Sequence, residues 1–410
     1  MAKRGLILLA GTLAGILPCG TATSQTSTVL NNQVQLGDVF ADQTLNVVTV
    51  DQQTSATTGA TANSFEAASN GSTVDMRSNQ YANGGVASNT LLNVGAYSGA
   101  ATNLSTGSTG NSGHAEVTGA TLTGVYSQFT SAQPISSVSH IEAPDAEGGD
   151  VTASSQAQGN TQSLAVNYGT AGVRVNQSNE AQVTSDGGGV YGVVWGTAKY
   201  DAATVGNNVS YAGASGSGAA IATSQNNTAV LGQATQFTAF GQVQDGKTTA
   251  TIAGNNVSAV NNGFVLNANV QQYNSAYQRA QAETSAYNFG AVAATASGVG
   301  NTALLGDIGG EIIIDASQIN DVGGIDAVAS TTGQDGYDGQ ATAVATGNAI
   351  TGYACADCNG RLTANSSQVN GADVGATATT TMNGSVRSAT GIATAVGNTA
   401  TYYLSKPSGQ

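Results

Sequence analysis

Hydrophobic and polar residues alternate along most of this chain with a period of two. In "EIIIDASQIN" (311–320), Ile312, Ile314, Ala316, Gln318 and Asn320 share one face, and Ile313, Asp315, Ser317 and Ile319 share the other. "ATAVAT" (341–346) sets Ala341, Ala343 and Ala345 against Thr342, Val344 and Thr346. Period two, β-branched residues and flanking glycines predict strands. Helical spacing is weak almost everywhere. The one stretch with some helical character, "SAYQRAQAETSAY" (275–287), falls within the strand register and is read as strand or loop.

The strands recur. Gly-Asn ends in Asn111, Asn160, Asn207, Asn255, Asn301, Asn348 and Asn398, at steps of 46 to 50 residues, and one further step back reaches Asn63 in "GATANSF". A second marker, glutamine-any-asparagine, keeps the same beat at Gln177, Gln225, Gln272, Gln318 and Gln368, with degenerate copies at Gln128, Gln80 and Gln33. Its final residue lies 19 residues after the Gly-Asn asparagine in most units, 20 in one and 22 in another. Random dipeptides would not hold that register, so the period of about 47 residues defines a repeat protein. The expectation is an all-β fold, a β-solenoid of about eight units, each with two strand-turn-strand arches. One arch centres on Gly-Asn, whose residues tolerate left-handed backbone angles, and one on the glutamine marker. Rungs paired through their backbones would place like residues in columns, so the asparagines and glutamines named above are candidates for amide ladders. The period alone fits one long rung or two short ones per unit.

Composition narrows the picture. The 410 residues include 55 glycines and 4 prolines, and 8% are charged, against roughly 25% in an ordinary soluble domain. Such a chain suits neither a large globular core nor a solvated disordered coil; a narrow interior explains why alanine and threonine stand where leucine would. A net charge of −14 with 10 basic residues leaves no patch for nucleic acid or for anionic lipid. At the N-terminus, Lys3 and Arg4 precede an apolar run from Gly5 to Leu17 and then small residues, the pattern of a secretory signal peptide. It is assigned to residues 1–22, with residues 23–410 as the solenoid. Cys19 follows Leu17 and Pro18, a poor fit to a lipidation site.

Candidate chemistry is thin. "GQVQDGKT" (241–248) matches the phosphate-loop pattern literally, but that loop needs a helix after it, and β-rich sequence follows; it is read as a surface turn between arches. Cys355 and Cys358 form a CxxC without a second cysteine pair or nearby histidines for zinc. They fall in the unit with the longest marker offset and are read as a disulfide stapling a small loop in an oxidising compartment. Asp335 and Asp338, and Asp145, Glu147 and Asp150, match no calcium-loop spacing and are read as acidic surface turns. No catalytic, cofactor or metal site is assigned.

The half-repeat "SSQVNGADVGATA" (366–378) resembles the curlin repeat of bacterial functional amyloid in its glutamine, asparagine and small residues. The whole chain, with its signal peptide, its "ATAVGNTA" phrases and its tyrosine-rich C-terminus, resembles the holdfast anchor protein D family of stalked alphaproteobacteria. That resemblance implies a non-enzymatic role at the outer membrane or cell surface, at the pole. It also implies adhesive extracellular polysaccharide and other envelope anchor proteins as partners. Two alternatives stay open: a curli-like self-associating amyloid subunit, and a β-helix polysaccharide-degrading enzyme.

Overall fold

A computed structural model describes residues 26–355 and 360–405. The described residues form an all-β solenoid of eight rungs. The first three rungs each contain three strands: β1 (Thr26–Gln35), β2 (Val39–Thr49) and β3 (Gln53–Asn70); β4 (Thr73–Ala82), β5 (Val86–Tyr97) and β6 (Ala101–Thr118); β7 (Thr121–Thr130), β8 (Ile135–Gly148) and β9 (Asp150–Asn167). In the next four the second and third strands run together: β10 (Thr170–Asn179) with β11 (Val183–Gly213), β12 (Gly218–Asn227) with β13 (Leu231–Asn261), β14 (Val265–Asn274) with β15 (Tyr277–Asp307), and β16 (Glu311–Asn320) with β17 (Ile325–Cys355). The last rung is β18 (Leu362–Asn370), β19 (Val374–Met382) and β20 (Ser388–Ser405).

Every neighbouring pair is parallel and in register by a whole repeat, as in Gln177↔Gln225 and Asn207↔Asn255. One repeat is therefore one long rung, and the described rod spans seven strand spacings, roughly 34 Å. Among the described residues no helix is long and apolar enough to cross a membrane. In the segment 275–287, residues from Tyr277 onward belong to strand β15, and Tyr287 is exposed.

Each rung runs out and back. In the fourth, β10 and the first part of β11 lead outward, the strand turns near Val194–Thr197 where the register shifts, and the rest of β11 returns. Across the rung, Val173 and Val175 of β10 share a core with Val209 and Tyr211 of the returning strand. Nearer the turn, the interior is a stack of alanines from both layers, among them Ala202, Ala234, Ala250, Ala282 and Ala343. At the turn itself Tyr191, Tyr200, Phe240 and Phe289 fill a wider space. The rung thus has two bulky ends and a thin waist, and alanine is what a thin waist accepts.

The Gly-Asn marker sits where the returning strand breaks its alternation. Gly206 and Asn207 are both buried, and the glycine is skipped in the pairing between Val205↔Ala253 and Asn207↔Asn255. The glycine is needed for close approach and not for a left-handed backbone: none of the Gly-Asn residues has a positive φ. A Cβ on Gly206 would stand 2.6 Å from the carbonyl oxygen of Gly254 and 3.0 Å from the amide carbon of Asn227. The positive-φ glycines, Gly71, Gly99, Gly119, Gly216 and Gly324, lie in the true turns between strands.

The two end rungs are open. β1, β2 and β18 to β20 carry mostly exposed or half-buried side chains, because no further rung among the described residues covers them.

Candidate functional site

Three columns of side-chain amides run through the rod where its outer and inner halves meet. In the first, Asn63 Nδ2 donates to Asn111 Oδ1, Asn111 to Asn160, Asn160 to Asn207, Asn207 to Asn255, Asn255 to Asn301, Asn301 to Asn348 and Asn348 to Asn398, all at 2.7–2.9 Å. The second Nδ2 hydrogen goes to a backbone carbonyl near the end of a first strand, as from Asn207 to Asn226 O at 2.9 Å. Six of these asparagines, Asn111 to Asn348, are fully buried. Both Nδ2 hydrogens of each of these six have an acceptor.

The glutamine column runs the opposite way. Gln80 Nε2 donates to Gln33 Oε1, Gln128 to Gln80, Gln177 to Gln128, Gln225 to Gln177, Gln272 to Gln225, Gln318 to Gln272 and Gln368 to Gln318, at 2.7–2.9 Å. Each also donates across the rung to the carbonyl after a Gly-Asn asparagine, as Gln177 does to Asn208 O at 2.8 Å. A third column comes from the last residue of the glutamine marker: Asn179, Asn227, Asn274, Asn320 and Asn370 bond in sequence. The period contained the signal for this column, because those asparagines keep the marker's beat. Gln33, Gln80, Gln128 and Asn63 show that degenerate marker copies still carry the ladders.

The other singled-out residues do not converge. Gly241–Thr248 lies within strand β13 and spans the point where that rung turns back, level with Val194–Thr197 of the rung before, and no helix follows; the Lys247 ammonium stands 3.7 Å from Asp245. Glu147 accepts the indole N–H of Trp195 at 3.1 Å, while Asp150 accepts the backbone N–H of Thr197 at 2.8 Å. Asp338 is paired with Arg387, which holds its carboxyl below the usual range. His114 and His140 stand in different rungs, 4.0 Å from Glu116 and 3.9 Å from Asp186. Cys355 ends β17; Cys358, and with it the expected disulfide, lies outside the described residues, as do Cys19 and the assigned signal peptide.

Two electrostatic features stand out inside the rod. Burial pushes the Tyr211 hydroxyl up to about 12 and Tyr200 well above its ordinary value, so both stay neutral. Asp307 is fully buried at the register position that Asn261 holds one rung earlier: Asn261 Nδ2 donates to its Oδ2 at 3.1 Å, and the N–H groups of Gly309 and Gly310 donate to its Oδ1 at 2.9 Å. Burial nevertheless holds its carboxyl above the usual range.

The outside repeats the columnar logic with hydroxyls and amides. Thr121 and Thr170 share a 2.9 Å hydrogen bond, Asn256 Nδ2 donates to Asn208 Oδ1 at 2.7 Å, and Asn93 to Asn46 at 2.6 Å. Repeated rungs, internal ladders and polar outer columns define a β-solenoid of structural type, a rod that presents the same chemistry many times over.

A family model for holdfast attachment protein D (HfaD) matches residues 48–324, from the end of β2 to the turn before β17, and the chain belongs to that family. No curated protein and no solved structure matches the chain.

Proposed function

We propose that this chain is an exported structural protein that fastens an adhesive polysaccharide to the cell envelope. The observation that carries the reading is the rod itself, whose outer columns repeat hydroxyl and amide groups at one strand spacing. A single such group holds a sugar weakly against competing water. An array on a rigid support engages many at once, so release requires many contacts to open together. Rigidity comes from the ladders, which fix the rungs in one register and keep the ordering cost low on binding. Family membership supports the attachment role, and the expected signal peptide supports export. The work is done by binding alone, with no bond made or broken.

Deleting the gene should leave polysaccharide secretion unchanged while the adhesive sheds into the medium and cells no longer stay on a surface. Retained attachment in the deletion strain would overturn the reading.

A further inference from the structure

The outer face of the sheet formed by β1, β4, β7, β10 and β12 carries a groove of about 440 Å³ that runs across the strands, parallel to the rod axis. One wall is a polar column: Asn32, Asn79, Ser127, Asn176 and Ser224 occupy one register position on successive rungs. The other wall starts with Tyr81 and Phe129, whose rings stack with centroids 5.2 Å apart and planes 6° from parallel. Beyond Phe129 that column carries Ser178 and Asn226 before the next aromatic, Tyr273. The far side of the Phe129 ring therefore faces two rungs of small polar residues, where the ring stack is interrupted. Between the walls, the side chains of Gln80, Gln128 and Gln177 are committed to the interior ladder, so the floor is backbone.

Three properties select an occupant. No lining residue is charged, although the chain as a whole is strongly acidic. The strands at the floor are paired on both sides, β4 with β1 and β7, β7 with β10, and β10 with β12. An extended peptide would bind a sheet edge through its backbone, so it finds nothing to pair with here. Last, the groove spans four strand spacings, roughly 19 Å, a length suited to a linear polymer lying along the rod.

We infer that this groove is a subsite for an uncharged glycan chain, with a pyranose ring stacked on the free face of Phe129 over Ser178 and its hydroxyl edge bonded to the Asn79–Ser127–Asn176 column. A pyranose has an apolar C–H face and a rim of hydroxyls, which matches an aromatic wall facing an amide wall. The inference rests on the anchoring role proposed above and assigns its contact surface.

The test uses the full chain on a printed array of neutral and acidic oligosaccharides, followed by saturation-transfer NMR with the neutral sugars that bind. Neutral chains should bind in preference to acidic ones. Phe129→Ala and Asn176→Ala should each weaken binding at least tenfold, Phe129→Tyr should restore it, and Tyr287→Ala, on the turn edge far from the groove, should leave it unchanged. Circular dichroism and melting confirm that each variant is folded. Failure to bind any neutral sugar, preference for acidic ones, or undiminished binding by a folded Phe129→Ala would overturn the assignment. In cells, normal attachment with surface-displayed Phe129→Ala removes the groove but leaves the anchoring role; normal attachment in the deletion strain removes the role itself.

Discussion

An asparagine inside this rod is worth more than its own hydrogen bonds. Asn207 receives one bond from Asn160 and gives one to Asn255 and one to Asn226 O. Truncating it to alanine leaves the Asn160 donor, the Asn255 acceptor and a buried carbonyl short of partners, and an unsatisfied buried group costs about 1–3 kcal/mol. Asn398 sits on the exposed last rung and closes the column from one side only. Asn207→Ala should therefore lower stability in urea by about 3 kcal/mol or more, three groups at no less than about 1 kcal/mol each, and Asn398→Ala by under about 1 kcal/mol; equal effects would show that the column contributes nothing. The opposed donor directions of the long asparagine and glutamine columns matter at this scale too. Two aligned rows of amide dipoles would reinforce each other along the rod, and reversing one offsets the other, while the shorter column from Asn179 to Asn370 runs with the first.

Asp307 is a titratable group in an amide's place. Because burial raises its folded value, the folded chain holds that proton more tightly than the unfolded chain, whose aspartates titrate near ~3.9. Its contribution to stability is therefore complete below the unfolded value and is lost as pH rises through the raised folded value. Melting temperatures of wild type and Asp307→Asn, measured from pH 3 upward, should diverge in favour of the asparagine variant as pH rises through this window. A difference that stays constant with pH would show that Asp307 carries no such linkage.

At the scale of the strand, much was legible in the sequence because a period of two has only one physical meaning. Alternation in 311–320 places Ile312, Ile314 and Ala316 on one face, and β16 buries that face. Gln318 and Asn320 share it as polar residues at a depth where only a partner makes them tolerable. The kink was less legible. Gly-Asn looks like turn chemistry, yet its glycine answers to the carbonyl of the rung above, an atom about 48 residues away in sequence. Whether one repeat makes one rung or two was hidden for a related reason. Two markers per period suggest two equivalent arches, but asparagine pairs with asparagine and glutamine with glutamine only when a whole repeat separates the rungs. The groove beside Phe129 was invisible to periodicity, because it arises from an interruption: small residues at 178 and 226 in a column that holds rings at 81, 129 and 273.

For the whole molecule, each rung touches only the rungs beside it, so stability should be close to a sum of repeats and interfaces. That makes removal of one complete rung a sharp test of the architecture. Deleting residues 265–310 joins Phe264 to Glu311 and takes out β14 and β15 with their turns. Asn255 then faces Asn348, Gln225 faces Gln318 and Asn227 faces Asn320, so all three columns close again. The groove on the first five rungs loses none of its lining residues. The shortened chain should fold with undiminished β signal per residue, melt somewhat lower because one interface is gone, and keep the sugar binding expected of the groove. Deleting only 265–288 removes about half a rung, sets β13 against the wrong half of the next turn of chain and leaves ladder amides facing alkyl groups. That variant should aggregate or unfold. If the two deletions behave alike, the rungs are not interchangeable units, and a rod held in register by columns of like side chains is the wrong description of this protein.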